Sequence, residues 1–196
     1  MRLQRPVIFL DIDDVICLGS GGIDCVQYFR GRRKEADTPF ATMFSPESVD
    51  ALRRIHGGLQ GEVCFTISSS WREALTREQL QTALQRGGLE FVAANMLDEP
   101  QWATPTSTDP RHGRVDEILT WLERHHEGQP WVILDDSQSG AELVGIAADA
   151  LIAWRHRIVL CEPNVGLRLE HVGPAIAALN ATVHPSEDYR ARPWLA

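Results

Sequence analysis

Val7-Ile8-Phe9-Leu10-Asp11-Ile12-Asp13-Asp14 is a continuous apolar run that ends abruptly in carboxylates. Four apolar residues bounded by polar ones fit a strand covered on both faces, as in a parallel sheet. The pattern returns twice: Val63-Cys64-Phe65-Thr66-Ile67 runs into Ser68-Ser69-Ser70, and Trp131-Val132-Ile133-Leu134 runs into Asp135-Asp136. Ile158-Val159-Leu160 offers a fourth strand. Between these runs the spacing turns helical. Ser45-Pro46-Glu47 supplies an N-cap, a proline at the first helical position and an acid in the first turn, with Val49, Leu52 and Ile55 on one face and Gly57 beyond. Thr76 with Gln79, and Ser70 with Glu73, have capping-box spacing. Val115, Ile118, Leu119 and Leu122 keep a helical stripe over 114–127, and Val172 to Leu179 predicts a last helix begun by Pro174. Residues 17–44 read as an irregular excursion, and 89–113 show no clear period. Buried strands alternating with helices predict an α/β fold with a parallel sheet and helices on both faces, and ligands in such sheets bind beyond the carboxyl ends of the strands.

The composition fits one domain. The chain has 196 residues, 43% hydrophobic and 23% charged, enough to bury a core without disulfides or a structural metal. Cys17, Cys25, Cys64 and Cys161 form no CxxC pair, so a reduced, cytoplasmic protein is expected. The four-residue run Val7 to Leu10 is too short for a signal peptide or a membrane span. Nineteen basic against 27 acidic residues give a net charge of −8, which argues against coating of double-stranded DNA. One local basic patch exists at Arg30, Arg32, Arg33 and Lys34, which reads most simply as a solvated loop.

The polar residues gather at the predicted strand ends. Asp11 and Asp13 lie two apart where a strand is ending, so their side chains can converge on one side. With Asp135 and Asp136 they make four carboxylates, hard oxygen ligands of the kind that suit Mg²⁺. Loop acids and N-caps would look alike for either pair alone, but both pairs following buried strands favours a metal. Ser68 stands where a helix start can hold an anion. Arg114 is the candidate cation for a phosphate and for the crowded carboxylates, although a surface arginine would have the same appearance.

The order of Val-Ile-Phe-Leu-Asp11-Ile-Asp13-Asp14-Val15, then Phe-Thr-Ile-Ser68, then Arg114, then Val-Ile-Leu-Asp135-Asp136 resembles the four motifs of the haloacid-dehalogenase-like (HAD) superfamily of phosphatases. Ile67-Ser-Ser-Ser-Trp-Arg72, Glu117-Ile118, Trp121-Leu122 and Asn164-Val-Gly-Leu167 further resemble the small HAD domains associated with RNA repair proteins. The resemblance implies a three-layer Rossmannoid fold, with Asp11 as the nucleophile that becomes an aspartyl-phosphate and Asp13 as general acid and then base. It implies Ser68, with Ser69 beside it, and Arg114 on the phosphoryl group. It also implies Mg²⁺ on Asp11, the main-chain carbonyl of Asp13, and Asp136, with Asp135 behind them or on Arg114. The third motif is more often lysine, and Arg111 competes with Arg114 for that place; Thr66, Ser69 and Ser70 compete with Ser68 for the second.

The intervals from Asp13 to Ser68 and from Ser68 to Arg114 leave no room for a large cap domain. A single domain over 1–196 is therefore expected, with a flap or minimal cap at about 17–44. By analogy with capless members, such an open site serves a bulky phosphorylated substrate such as a nucleic-acid end or a phosphoprotein, a nucleotide or other small phosphorylated molecule being the lesser case, and the basic patch of the flap is placed to hold further phosphates. The alternative is a catalytically idle module that binds a phosphorylated ligand, against which the presence of both Asp11 and Asp13 counts. A receiver domain would need its acceptor aspartate where serine stands. Trp71, Trp121 and Trp131 are expected to pack the core.

Overall fold

The strand order β2-β1-β3-β4 places the first apolar run inside the sheet. These strands are Val7–Leu10 (β1), Cys64–Ile67 (β2), Trp131–Asp136 (β3) and Ile158–Cys161 (β4), and all pairings are parallel. The computed structural model describes residues 5–19, 21–34, 40–107, 113–149 and 152–183. Its helices are Gly21–Phe29 (α1), Pro46–Gly58 (α2), Trp71–Ala74 (α3), Arg77–Arg86 (α4), Glu90–Ala94 (α5), Arg114–His125 (α6), Ala141–Ala148 (α7) and Leu169–Asn180 (α8). The α/β fold with a four-stranded parallel sheet is the one predicted. No helix among the described residues is long and apolar enough to cross a membrane.

Alternation along the strands sorts the core into two layers. Ile8, Leu10, Phe65, Ile67, Val132 and Leu134 face one cluster, which takes in α2, α4 and α8. Val7, Phe9, Trp131 and Ile133 face the other, built with Val115, Ile118, Leu119, Trp121 and Leu122 of α6. The period of two in a strand makes this division. Phe9 sets the edge of Trp121 against its ring at a centroid distance of 5.0 Å and an interplanar angle of 89°, so the three tryptophans pack as expected. Each fully buried aromatic or aliphatic side chain contributes about 1.5–3 kcal/mol, which is why the central strand carries no polar residue before Asp11.

Several local expectations hold. Ser45 Oγ accepts from the Ser48 amide to open α2, and Thr76 and Gln79 exchange both capping bonds to open α4. Others are corrected. Residues 17–44 are not irregular throughout: α1 lies there, and Cys25, Phe40, Met43 and Phe44 are buried. The capping box at Ser70 does not form, because Ser70 already has helical backbone angles (φ −56°, ψ −19°) and an N-cap needs an extended one. Pro174 lies inside α8 instead of beginning it; the helix starts earlier, where His171 Nδ1 accepts the Arg168 amide at 2.9 Å. The unpatterned stretch after residue 89 contains α5 and then an extended segment that bonds along the outer edge of β2, with Ile67 N donating to Trp102 O and Thr104 N to Ile67 O. That segment satisfies an edge that would otherwise be open.

All four cysteines are buried and unpaired. Burial pushes the thiols of Cys17, Cys25 and Cys161 up to about 12.

Candidate active site

The sheet brings three sequence-distant segments together. β2 and β3 flank β1, so the chain crosses to opposite sides of it, and the crevice beyond the carboxyl ends lies where such folds bind ligands. The ladder carries on past the strands: Asp11 N donates to Leu134 O at 3.0 Å and Ser68 N to Leu10 O at 2.9 Å. The aspartates after β1, the serines after β2 and the aspartates at the end of β3 therefore converge. β3 is longer than predicted and includes both of its acids, so the alternation that points Ile133 at α6 also points Asp135 there.

Arg114, the first residue of α6, reaches into this crevice. One of its terminal nitrogens, Nη1, lies 3.4 Å from Asp11 Oδ1 and 3.2 Å from Ser68 Oγ, and Nε lies 3.5 Å from Asp135 Oδ2. It thereby touches a residue from each of the three strand ends. Arg111 lies outside the described residues. Ser69 Oγ is buried beside Asp11, where its hydroxyl favours the carboxylate form.

Asp11, Asp135 and Asp136 offer carboxylate oxygens within 4.8 Å of one another, all buried. Ser139 donates its hydroxyl proton into this group, with Oγ 3.1 Å from Asp135 Oδ1, 3.4 Å from Asp11 Oδ2 and in short contact with Asp136 Oδ2. The amides of Gln138 and Ser139 hold Asp136 Oδ1 at 2.7 and 3.0 Å. Among the described residues three buried carboxylates face a single guanidinium, and that imbalance, with an all-oxygen donor set, fits a hard divalent cation.

The electrostatics carry the same mark. Burial pushes Asp11 up to about 6, against the pull of Arg114. Asp135 goes up to about 8, through burial first and then the charge of Asp11. Burial lowers the affinity of Arg114 for its proton, but Asp135 and Asp11 more than offset this and the guanidinium stays charged.

Asp13 stands apart from the three-carboxylate group. Its two oxygens accept from the Trp71 indole N–H at 3.0 and 3.1 Å. Burial raises its pKa and the indole bond opposes that rise. Gly22 of α1 closes over the pair: a Cβ there would lie 2.9 Å from Asp13 Oδ1 and 2.8 Å from the Trp71 ring. The side chain of Asp13 is thus held by Trp71 outside the three-carboxylate group, while it lines the same cavity as Asp11 and Asp136. A cavity of about 450 Å³ opens onto Asp11, Asp13, Arg114, Asp136, Gln138 and Ser139.

Some of this was not foreseen. Ser139 follows the paired acids without a recognisable signal. Glu142 of α7 accepts the amides of Gly113 and Val115 at 3.1 and 3.4 Å and so caps the helix that carries Arg114. Arg72 and Glu117 form a buried ion pair at 2.7 Å, and Arg72 also donates to Ser69 O at 2.6 Å, tying the serine loop to α6. Trp71 packs the core as expected, yet it also holds Asp13.

A family model described as the HAD domain in Swiss Army Knife RNA repair proteins matches residues 7–172. No curated protein and no solved structure gives a significant match. Each motif of the resemblance falls within the matched span, and membership points to hydrolase chemistry of the phosphatase type with an aspartate cluster able to hold a metal. The chain belongs to the HAD domains of Swiss Army Knife RNA repair proteins.

Proposed function

We propose that this protein hydrolyses phosphate monoesters through an aspartyl-phosphate on Asp11. The observation that carries the reading is the bridging of Asp11 and Ser68 by one guanidinium nitrogen of Arg114 beside a buried three-carboxylate cluster. In the first step a carboxylate oxygen of Asp11 forms a bond to phosphorus while the ester P–O bond breaks, and the leaving oxygen takes its proton from Asp13. Ser68 Oγ and Arg114 neutralise and orient the phosphoryl oxygens. In the second step water attacks phosphorus and gives its proton to Asp13, releasing phosphate and restoring the Asp11 carboxylate. Burial favours a protonated Asp13 in the first step, and the Trp71 N–H supports its ionised form for the second.

Asp11 and Asp136, with the main-chain carbonyl of Asp13, would hold Mg²⁺, and Asp135 would sit behind them against Arg114. The ion when bound supplies positive charge to the phosphoryl oxygens and offsets the excess of carboxylates.

Release of phosphate from a generic aryl phosphate, with and without Mg²⁺, tests the reading beside Asp11→Asn and Asp13→Asn. Metal-dependent turnover in the intact protein and its loss in Asp11→Asn are expected. Turnover that survives Asp11→Asn would remove the covalent mechanism. Mg²⁺ and phosphate binding without turnover on any ester would instead favour a phosphate-binding module.

A further inference from the structure

Beyond Asp13 the site continues into a second cavity of about 530 Å³. Asp13, Asp14 and Ser70 line both cavities, so the two adjoin around the general acid. On the proposed reading this is the leaving-group side, because Asp13 delivers its proton to the departing oxygen. The wall consists of Ile23, Val26 and Gln27, at i, i+3 and i+4 on one face of α1. Ile23 is 63% exposed, one of three large hydrophobic side chains so open to solvent among the described residues. Trp71 and Ala74 of α3 line the same cavity.

Arg30 and Arg32, in the turn that follows α1, complete the lining. Both are exposed, and neither has an acidic partner among the described residues. Arg33 differs: its guanidinium is bonded to Asp24 at 2.5 Å. The cationic groups of the cavity are therefore these two arginines, in a chain whose net charge is −8. Gly22 abuts Asp13, and the helix from Gly22 to Phe29 advances about 10 Å. Arg30 and Arg32 follow the end of this helix, so they stand a helix length along the cleft from Asp13, with Ile23 and Val26 between.

We propose that this cleft is a leaving-group subsite for esters that carry a second phosphate. Arg30 and Arg32 hold the second phosphate, and the apolar part between the phosphates lies against Ile23 and Val26. The proposal rests on the phosphatase reading for its orientation. The second phosphate is found equally in a free nucleoside bisphosphate and in the first phosphodiester of an oligonucleotide.

The test compares kcat/KM for a nucleoside 5′-monophosphate, a nucleoside 3′,5′-bisphosphate, a 5′-phosphorylated trinucleotide and an aryl phosphate, in the intact protein, in Arg30→Ala/Arg32→Ala and in Arg30→Lys/Arg32→Lys. Two charge-assisted contacts give an expected preference for the two-phosphate substrates on the order of tenfold or more. The alanine variant should lose that preference through KM, the lysine variant should keep most of it, and turnover of the aryl phosphate should not change. A trinucleotide better than the bisphosphate assigns the site to oligonucleotide ends, and a bisphosphate better than the trinucleotide assigns it to the free bisphosphate. No preference in the intact protein, or equal losses on all substrates, would overturn the subsite. Calorimetric binding of the bisphosphate and the monophosphate separates this from the mechanism. Tighter bisphosphate binding that the alanine variant abolishes, in a protein without turnover, keeps the subsite and discards the phosphatase reading. Equal binding of the two discards the subsite.

Discussion

Replacing Trp71 with phenylalanine keeps an aromatic ring in a buried place and removes one proton donor. That donor lies 3.0 and 3.1 Å from the two oxygens of Asp13, so a single N–H is shared by both. A hydrogen bond to a charged group contributes about 1.5–3 kcal/mol, and a shared one belongs at the low end. The bond supports the carboxylate form, so its loss adds to the upward push of burial. About 1.4 kcal/mol corresponds to one pH unit. On the proposed mechanism the first step needs Asp13 protonated, so the basic limb of the kcat/KM profile should move up by about one pH unit in Trp71→Phe. The assay is a pH profile on an alkyl phosphate, whose poor leaving group requires the proton. An aryl phosphate with a good leaving group is the internal control and should barely respond. An unchanged limb on the alkyl ester, in a variant that folds, would refute the assignment of the indole as the group that positions and tunes Asp13.

Three further outcomes follow from the same geometry. Glu117→Leu leaves the buried Arg72 without its 2.7 Å carboxylate partner and should cost about 3 kcal/mol in urea unfolding; a cost near zero would mean that the pair does not fasten the serine loop to α6. In the metal-free protein the folded-state values of about 8 for Asp135 and about 6 for Asp11 lie above the ordinary carboxylate value, so the native state holds more protons. Their contribution is fully present below about pH 4 and is lost as pH rises toward 8, so the melting temperature in EDTA should have a falling component across that window, which Mg²⁺ should flatten. Asp11→Asn should abolish phosphate release yet raise the metal-free melting temperature at neutral pH, because it removes a buried charge that Asp135 feels; a lower melting temperature would count against the repulsion.

The strands and their carboxyl ends were legible because burial on both faces leaves an unbroken apolar run, and Asp11, Ser68 and Asp135 mark where each run stops. The N-termini of α2 and α4 were legible from Ser45-Pro46 and from Thr76 with Gln79, since capping is local chemistry. α1 was hidden. It opens on Gly21-Gly22, poor helix residues, and Gly22 is there because Asp13 and Trp71 leave no room for a Cβ. The same holds for the supports of the site. Ser139 meets Asp11, 128 residues away, and Glu142 meets Gly113, 29 residues away, contacts set by the packing of α7 on α6 and β4 that leave no periodic trace. A proline normally marks a helix start, which misplaced the opening of α8. There the buried Ala175, Ala178 and Leu179 hold the helix together past Pro174.

The four buried cysteines make the protein its own recorder of breathing motions. Cys17 sits in the bend after β1, Cys25 in α1, Cys64 at the head of β2 and Cys161 at the foot of β4. Alkylation needs both access and a thiolate, and burial withholds each of them at Cys17, Cys25 and Cys161. A label acquired under native conditions therefore dates an opening event, and the cysteine that carries it says where the opening occurred. Cys25 alone would report α1 lifting from the cavity it lines, whereas simultaneous labelling of Cys64 and Cys161 would report separation of the sheet itself.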